Sequence, residues 1–89
     1  MNLIFDKAFS KSLDKVSDAS VLSKIELILL HMESAESISQ VKGVKKMVGF
    51  TNYYRVRVGH YRVGLELIDD ITVRLIVVLH RKDIHRKFP

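Results

Sequence analysis

Cysteine is absent from the 89 residues. This excludes disulfides and thiolate metal sites, and suits a reducing, cytoplasmic setting. Long apolar runs are missing too. The longest in the first half is Leu27 to Leu30, far short of the roughly 18 residues that span a bilayer. Met1 to Phe5 is too short and too lightly charged for a secretory signal. There are no repeats and no low-complexity tract. Acidic residues fail where basic ones crowd: between Val41 and Val63 stand Lys42, Lys45, Lys46, Arg55, Arg57 and Arg62, with no Asp or Glu among them.

What remains is a foldable, basic chain. Hydrophobic residues make up 47% and the formal net charge is +5. The first figure is too high for disorder. The second points to nucleic acid, an anionic surface or an acidic partner. One continuous hydrophobic pattern predicts a single domain over 1–89, burying roughly 60–70% of its unfolded surface.

Asn2 to Phe5 reads as a short strand. Asp6 is placed to cap a helix carrying Phe9, Leu13 and Val16 at helical spacing. Asp18 is placed to cap a second, with Val21, Ile25, Ile28 and Met32 on one face, flanked by Leu22 and Leu29. Ser34 to Gln40 is polar linker. Val41 to Asn52 reads as loop with one short strand.

From Tyr53 the period becomes two. Tyr54, Val56 and Val58 point one way; Tyr53, Arg55 and Arg57 point the other. Gly59-His60 suits a two-residue type II′ turn. The return strand then sets Tyr61, Val63, Leu65 and Leu67 on the apolar face, with Arg62, Gly64 and Glu66 opposite. After a turn at Asp69-Asp70, strict alternation places Ile71, Val73, Leu75, Val77 and Leu79 on the apolar face. Thr72, Arg74, Ile76, Val78 and His80 fall on the other. Arg81 to Pro89 is a short basic tail with one helical turn. The expected fold is α+β: an N-terminal strand and a two-helix hairpin packed on one face of a mainly antiparallel sheet, the other face largely open.

That turn fixes a register. Arg57 faces Arg62, Arg55 faces Gly64, and in the next hairpin Glu66 faces Arg74 while Arg62 lies beside Val78 and His60 near His80. Like charges across a strand pair repel, and the glycine opposite Arg55 leaves space above the sheet. Guanidinium forks match phosphate oxygens, and an anion between Arg57 and Arg62 turns repulsion into attraction. The cluster therefore reads as a phosphate-binding face. Asp69, Asp70 and Asp83 form no ligand set for a metal-dependent nuclease, and His31, His60, His80 and His85 lack metal-site spacing. RNA cleavage without a metal needs a base, an acid and cations around the phosphate. Arginine supplies the cations and histidine suits proton transfer near neutrality. His85, in HRKDIHRKF, is the first candidate, followed by His80 and Lys82.

KMVGFTNYYRVRVGHYRVG (46–64) followed by VVLHRKDIHRKF (77–88) resembles the RelE/ParE superfamily of type II toxins, most closely its RelE-like branch. The family's Tyr-Arg-x-Arg-x-Gly-x-Tyr-Arg is matched by Tyr54 to Arg62, and its late His-Arg-Lys-Asp-x-Tyr by His80 to His85. The resemblance implies a ribosome-associated endoribonuclease that cuts mRNA in the A site and inhibits translation, without metal or cofactor. By motif, Arg57, Arg62 and Arg81 are assigned to transition-state charge and His85, where many members have tyrosine, to proton transfer. Lys45, Lys46, Arg55, His80 and Lys82 are assigned to RNA binding. The resemblance also implies a cognate antitoxin, with DNA contacted only through it and no membrane partner. The alternatives are a ParE-like toxin that binds DNA gyrase and cleaves nothing, and a relative that only binds RNA.

Overall fold

The computed structural model describes all 89 residues. Its elements are β1 (Asn2–Phe5), α1 (Lys7–Asp14), α2 (Ala19–Ser34), a 3-10 turn (Ile38–Gln40), β2 (Val44–Lys46), β3 (Tyr53–Val58), β4 (Tyr61–Asp69), β5 (Thr72–His80) and α3 (Ile84–Lys87). The strands form one sheet in the order β1-β5-β4-β3-β2. β1 runs parallel to β5 and the other three pairs are antiparallel, so the sheet is mainly antiparallel as expected, with one parallel edge pair.

Asp18 caps α2 as its position predicts, accepting from the backbone N–H groups of Ser20 at 2.9 Å and Val21 at 3.4 Å. A hydrogen bond from the Ser20 hydroxyl, followed by those two backbone bonds, holds its carboxyl below the usual range. Asp6 occupies the N-cap of α1 but makes no capping bond. Its carboxylate is taken instead by Arg74 of β5, at 2.8 and 2.7 Å. A bidentate, charge-assisted pair outcompetes a single cap bond.

The main core lies between the helices and one sheet face. Phe9, Val16, Val21, Ile25 and Met32 pack against Val56, Val63, Leu65, Val73 and Leu75. Leu27 and Leu30, part of α2's longest apolar run, stay exposed. The predicted hairpin register holds residue for residue between β3 and β4. Gly59 has φ +60° and no non-glycine residue has positive φ, which places only the first turn residue in the left-handed region, as a type II′ turn requires.

Two expectations fail together. Leu65 pairs with Leu75, but Gly64 pairs with Val77, leaving an extra residue in β5. A bulge of this kind reverses the facing of everything beyond it. Val78 is therefore buried in the helix-side core, whereas Val77 and Leu79 pack on the opposite face with Met47, Ile84 and Phe88. Arg62 consequently pairs with Leu79, not Val78. Nor is the outer face left open throughout: α3 and Phe88 fold across it and build a second, smaller core there.

Candidate functional site

β3 and β4 set Arg55, Arg57 and Arg62 on the outer face. Arg57 and Arg62 are Cα partners, and Arg55 pairs with Gly64 on one side and Lys45 of β2 on the other. Together with Gly43 and Val44 these four cationic residues line a cleft of about 310 Å³. Its rim is fixed by the backbone. Gly43 has φ +81°, and a Cβ there would lie 3.2 Å from the Arg57 carbonyl oxygen. The Arg57 N–H donates to the Gly43 carbonyl at 3.0 Å. Only glycine allows this loop to close so tightly against β3.

Arg62 is braced from below, its Nη1 donating to the carbonyls of Gly59 (3.0 Å) and Tyr61 (2.9 Å). Burial, then the charges of Arg57, Arg55 and Arg81, pull its guanidinium below the ordinary arginine value. It remains a cation near neutrality. Arg55, Arg57 and Arg62 share one cleft, and Arg81 lies at the exit of β5. None of them pairs with a carboxylate, because the ion pairs of the chain are Arg74–Asp6, Arg74–Glu66 and Arg86–Asp83. Arg74 is the contrast. Held by two carboxylates at 2.7 and 2.9 Å, it has its affinity for protons raised and is already satisfied. The patch can accept anionic oxygen from outside; Arg74 has no need of it.

Other predicted residues are placed differently. Lys45 lines the cleft. Lys46 sits opposite Tyr54 and alternates to the other side. Beyond the bulge, His80 pairs with Tyr61, whose ring it meets edge-on at 5.5 Å, so it stands on the helix side of the sheet and not with the arginines. Its Nδ1 accepts from the Lys82 N–H at 3.2 Å, and its ring stacks on His60 at 6.3 Å. Arg81 and Lys82 are exposed at the exit of β5. The Arg81 N–H donates to the His60 carbonyl at 2.8 Å, tying the tail to the hairpin turn. His85 is exposed on α3 and does not line the cleft.

Met47 belongs to the site although no sequence pattern marks it. Its Sδ accepts from Arg55 Nη1 at 3.5 Å, and it is buried beneath Ile84 and Phe88, joining the arginine patch to the tail. One methionine in a basic loop gives no pattern from which that contact could be read.

Comparison with known proteins decides the family. A family model described as "ParE toxin of type II toxin-antitoxin system, parDE" matches residues 3–85. The chain is 40% identical over 90 residues to Toxin RelE3 of Methanocaldococcus jannaschii, covering all of both chains. It belongs to the RelE/ParE superfamily of type II toxins. Among solved structures, this RelE-type chain is similar to one in the RelB-RelE antitoxin-toxin complex from Methanococcus jannaschii, with a TM-score of 0.80 and 37% identity, over 97% of this chain and 99% of that one. A chain of the intact Escherichia coli RelBE complex matches with a TM-score of 0.68 at 23% identity, over 89% and 94%. At that identity the likeness concerns the fold. The fold class expected from the residues is therefore that of RelE toxins.

Proposed function

We propose that this RelE-family toxin is a metal-independent endoribonuclease that cuts mRNA in the ribosomal A site. The observation carrying the proposal is the gathering of Arg55, Arg57 and Arg62 in one cleft with no carboxylate to neutralise them. In this reading the scissile phosphate sits over Arg57 and Arg62, with Arg55, Lys45 and Lys82 along the flanking backbone. The 2′-oxygen attacks the adjacent phosphorus, its proton passes to a base, the P–O5′ bond breaks and an acid protonates the leaving oxygen. Charge grows on the non-bridging oxygens in the transition state, where fixed guanidinium groups stabilise it more than in the ground state. Arginine does not give up its proton at neutral pH, so proton transfer falls to His85 on the tail.

The partner is a cognate antitoxin. Full-length likeness to a chain from a RelB-RelE complex supports this, and an acidic segment suits the basic cleft. Contact with DNA would come through the antitoxin.

Mapping RNA ends by primer extension after expression tests the reading. Cuts within translated codons are expected. Intact message would overturn it. The family model's ParE description keeps one second reading in view: a gyrase poison, which would give DNA breaks with message intact. The unpaired arginine face favours the first.

A further inference from the structure

Gly64 is buried in the middle of β4, a central strand, where glycine weakens a sheet unless something needs its empty space. Its backbone does not, because its φ is not positive. The reason stands above it. A Cβ at Gly64 would lie 2.9 Å from three carbons of the Phe88 ring, Cγ, Cδ1 and Cε1. That separation is far inside van der Waals contact, so the bare strand is the seat of the ring. Phe88 is 3% exposed, meets Tyr53 edge-on at 5.8 Å, and shares its small core with Met47 and Ile84. Tyr53 is itself met edge-on by Phe50 at 5.9 Å.

The seat lies beside the reactive patch. Gly64 pairs with Arg55, and Arg55 donates to Met47 in the wall of the seat. The tail is thus fixed at two points: where it begins, by the Arg81 N–H on the His60 carbonyl, and where it ends, by Phe88 over Gly64. His85 lies between them.

The geometry points to Gly64 and Phe88 as positioning residues that clasp the tail against the arginine face and so hold His85 in register with the bound phosphate; the inference rests on the proposed cleavage. Neither residue touches RNA. They act through His85, and shifting a proton carrier by about 1 Å costs on the order of a hundredfold in rate.

The test uses the whole chain and two variants that free the tail by opposite means. Gly64→Val fills the seat with a residue that β-strands favour; Phe88→Ala empties it. Amide hydrogen exchange is followed at residues 84–88 and in β3–β5, alongside RNA binding and single-turnover cleavage on programmed ribosomes. In both variants the tail amides should lose protection by about tenfold or more while the sheet amides keep theirs. Cleavage should fall by about a hundredfold with binding changed less than about threefold. Adding either change to His85→Ala should cost little more. Gly64→Ala with Phe88→Leu, a smaller group over a larger floor, should recover part of the loss seen in Gly64→Ala alone.

Tail amides that stay protected in both variants would show that there is no clasp. A loosened tail with undiminished cleavage would show a clasp that positions nothing. If losses multiply with those of His85→Ala, the pair acts by another route and the inference fails. Should the wild-type chain cut no RNA, the proposed function falls and the positioning role with it, while the exchange data still decide whether the clasp exists.

Discussion

Arg57 and Arg62 are direct partners across the β3–β4 hairpin, and neither is matched by a carboxylate. Strand pairs with like charges in this position are disfavoured by a few tenths to about 1 kcal/mol. Such an arrangement is harmful in the isolated protein and favourable once a polyanion lies between the two. Replacing both with Ala should abolish growth inhibition and RNA cleavage, while the urea midpoint holds or rises. A double variant with full toxicity would remove these arginines from the mechanism.

Phosphate contact has a salt signature. Each phosphate neutralised on a single strand contributes about 0.7 to the slope of log K against log salt. Arg57→Ala should therefore weaken binding to RNAs of any sequence and flatten that slope by about 0.7. Titrations at several salt concentrations measure it. An unchanged slope would mean that Arg57 meets no phosphate.

Gly43→Ala should disturb both the fold and the cleft. With φ at +81° and the Arg57 carbonyl 3.2 Å from the added Cβ, the change should destabilise the protein by about 1 kcal/mol or more. RNA binding should weaken with it, because the Gly43 loop fixes Arg57. Urea denaturation and RNA titration report the two effects separately.

Arg74 supplies a pH dependence. Its hydrogen bond and charge hold the Asp6 carboxyl below the ordinary value of 3.8, against a smaller opposing effect of burial. A carboxyl whose folded pKa is depressed stabilises the fold above its unfolded pKa and loses that contribution as pH falls through the folded one. Wild type should therefore exceed Asp6→Asn in stability near neutrality. The gap should begin to narrow as pH falls below about 4, where the unfolded carboxyl titrates, and close only once pH passes below the depressed value of folded Asp6. Thermal melts of the two proteins across that range make the comparison.

His85→Ala should slow cleavage by about a hundredfold or more, as loss of a general acid or base does, with little change in ribosome binding. A fall in binding that matched the fall in rate would make His85 a contact and no proton carrier.

Much of this was legible because short-range rules governed it. Gly59-His60 sets the turn, the turn sets the register, and the register brings Arg57 to Arg62 and Arg55 to Gly64 with no further information. Asp18 capped α2 because its partners are two and three residues away. Asp6 did not cap α1, because Arg74 lies far along the chain and local reading cannot see it. The bulge in β5 was hidden for another reason. Leu75 to Leu79 is apolar at every position, so alternation carries no phase there. With the phase lost, His80 was set on the wrong side, and Val77 and Leu79 were taken from the tail's core. The space above Gly64 was visible in the sequence; its occupant, Phe88, was not.

β5 therefore serves two interiors, lining the helix layer with Val73, Leu75 and, past the extra residue, Val78, while lending Val77 and Leu79 to the layer beneath the tail. Excising one residue at that step would put the strand back into simple two-residue rhythm. Val77 would still stand opposite Gly64 and Leu75 opposite Leu65, and what the tail would lose is Ile76, whose side chain packs into the small core of Ile84 and Phe88.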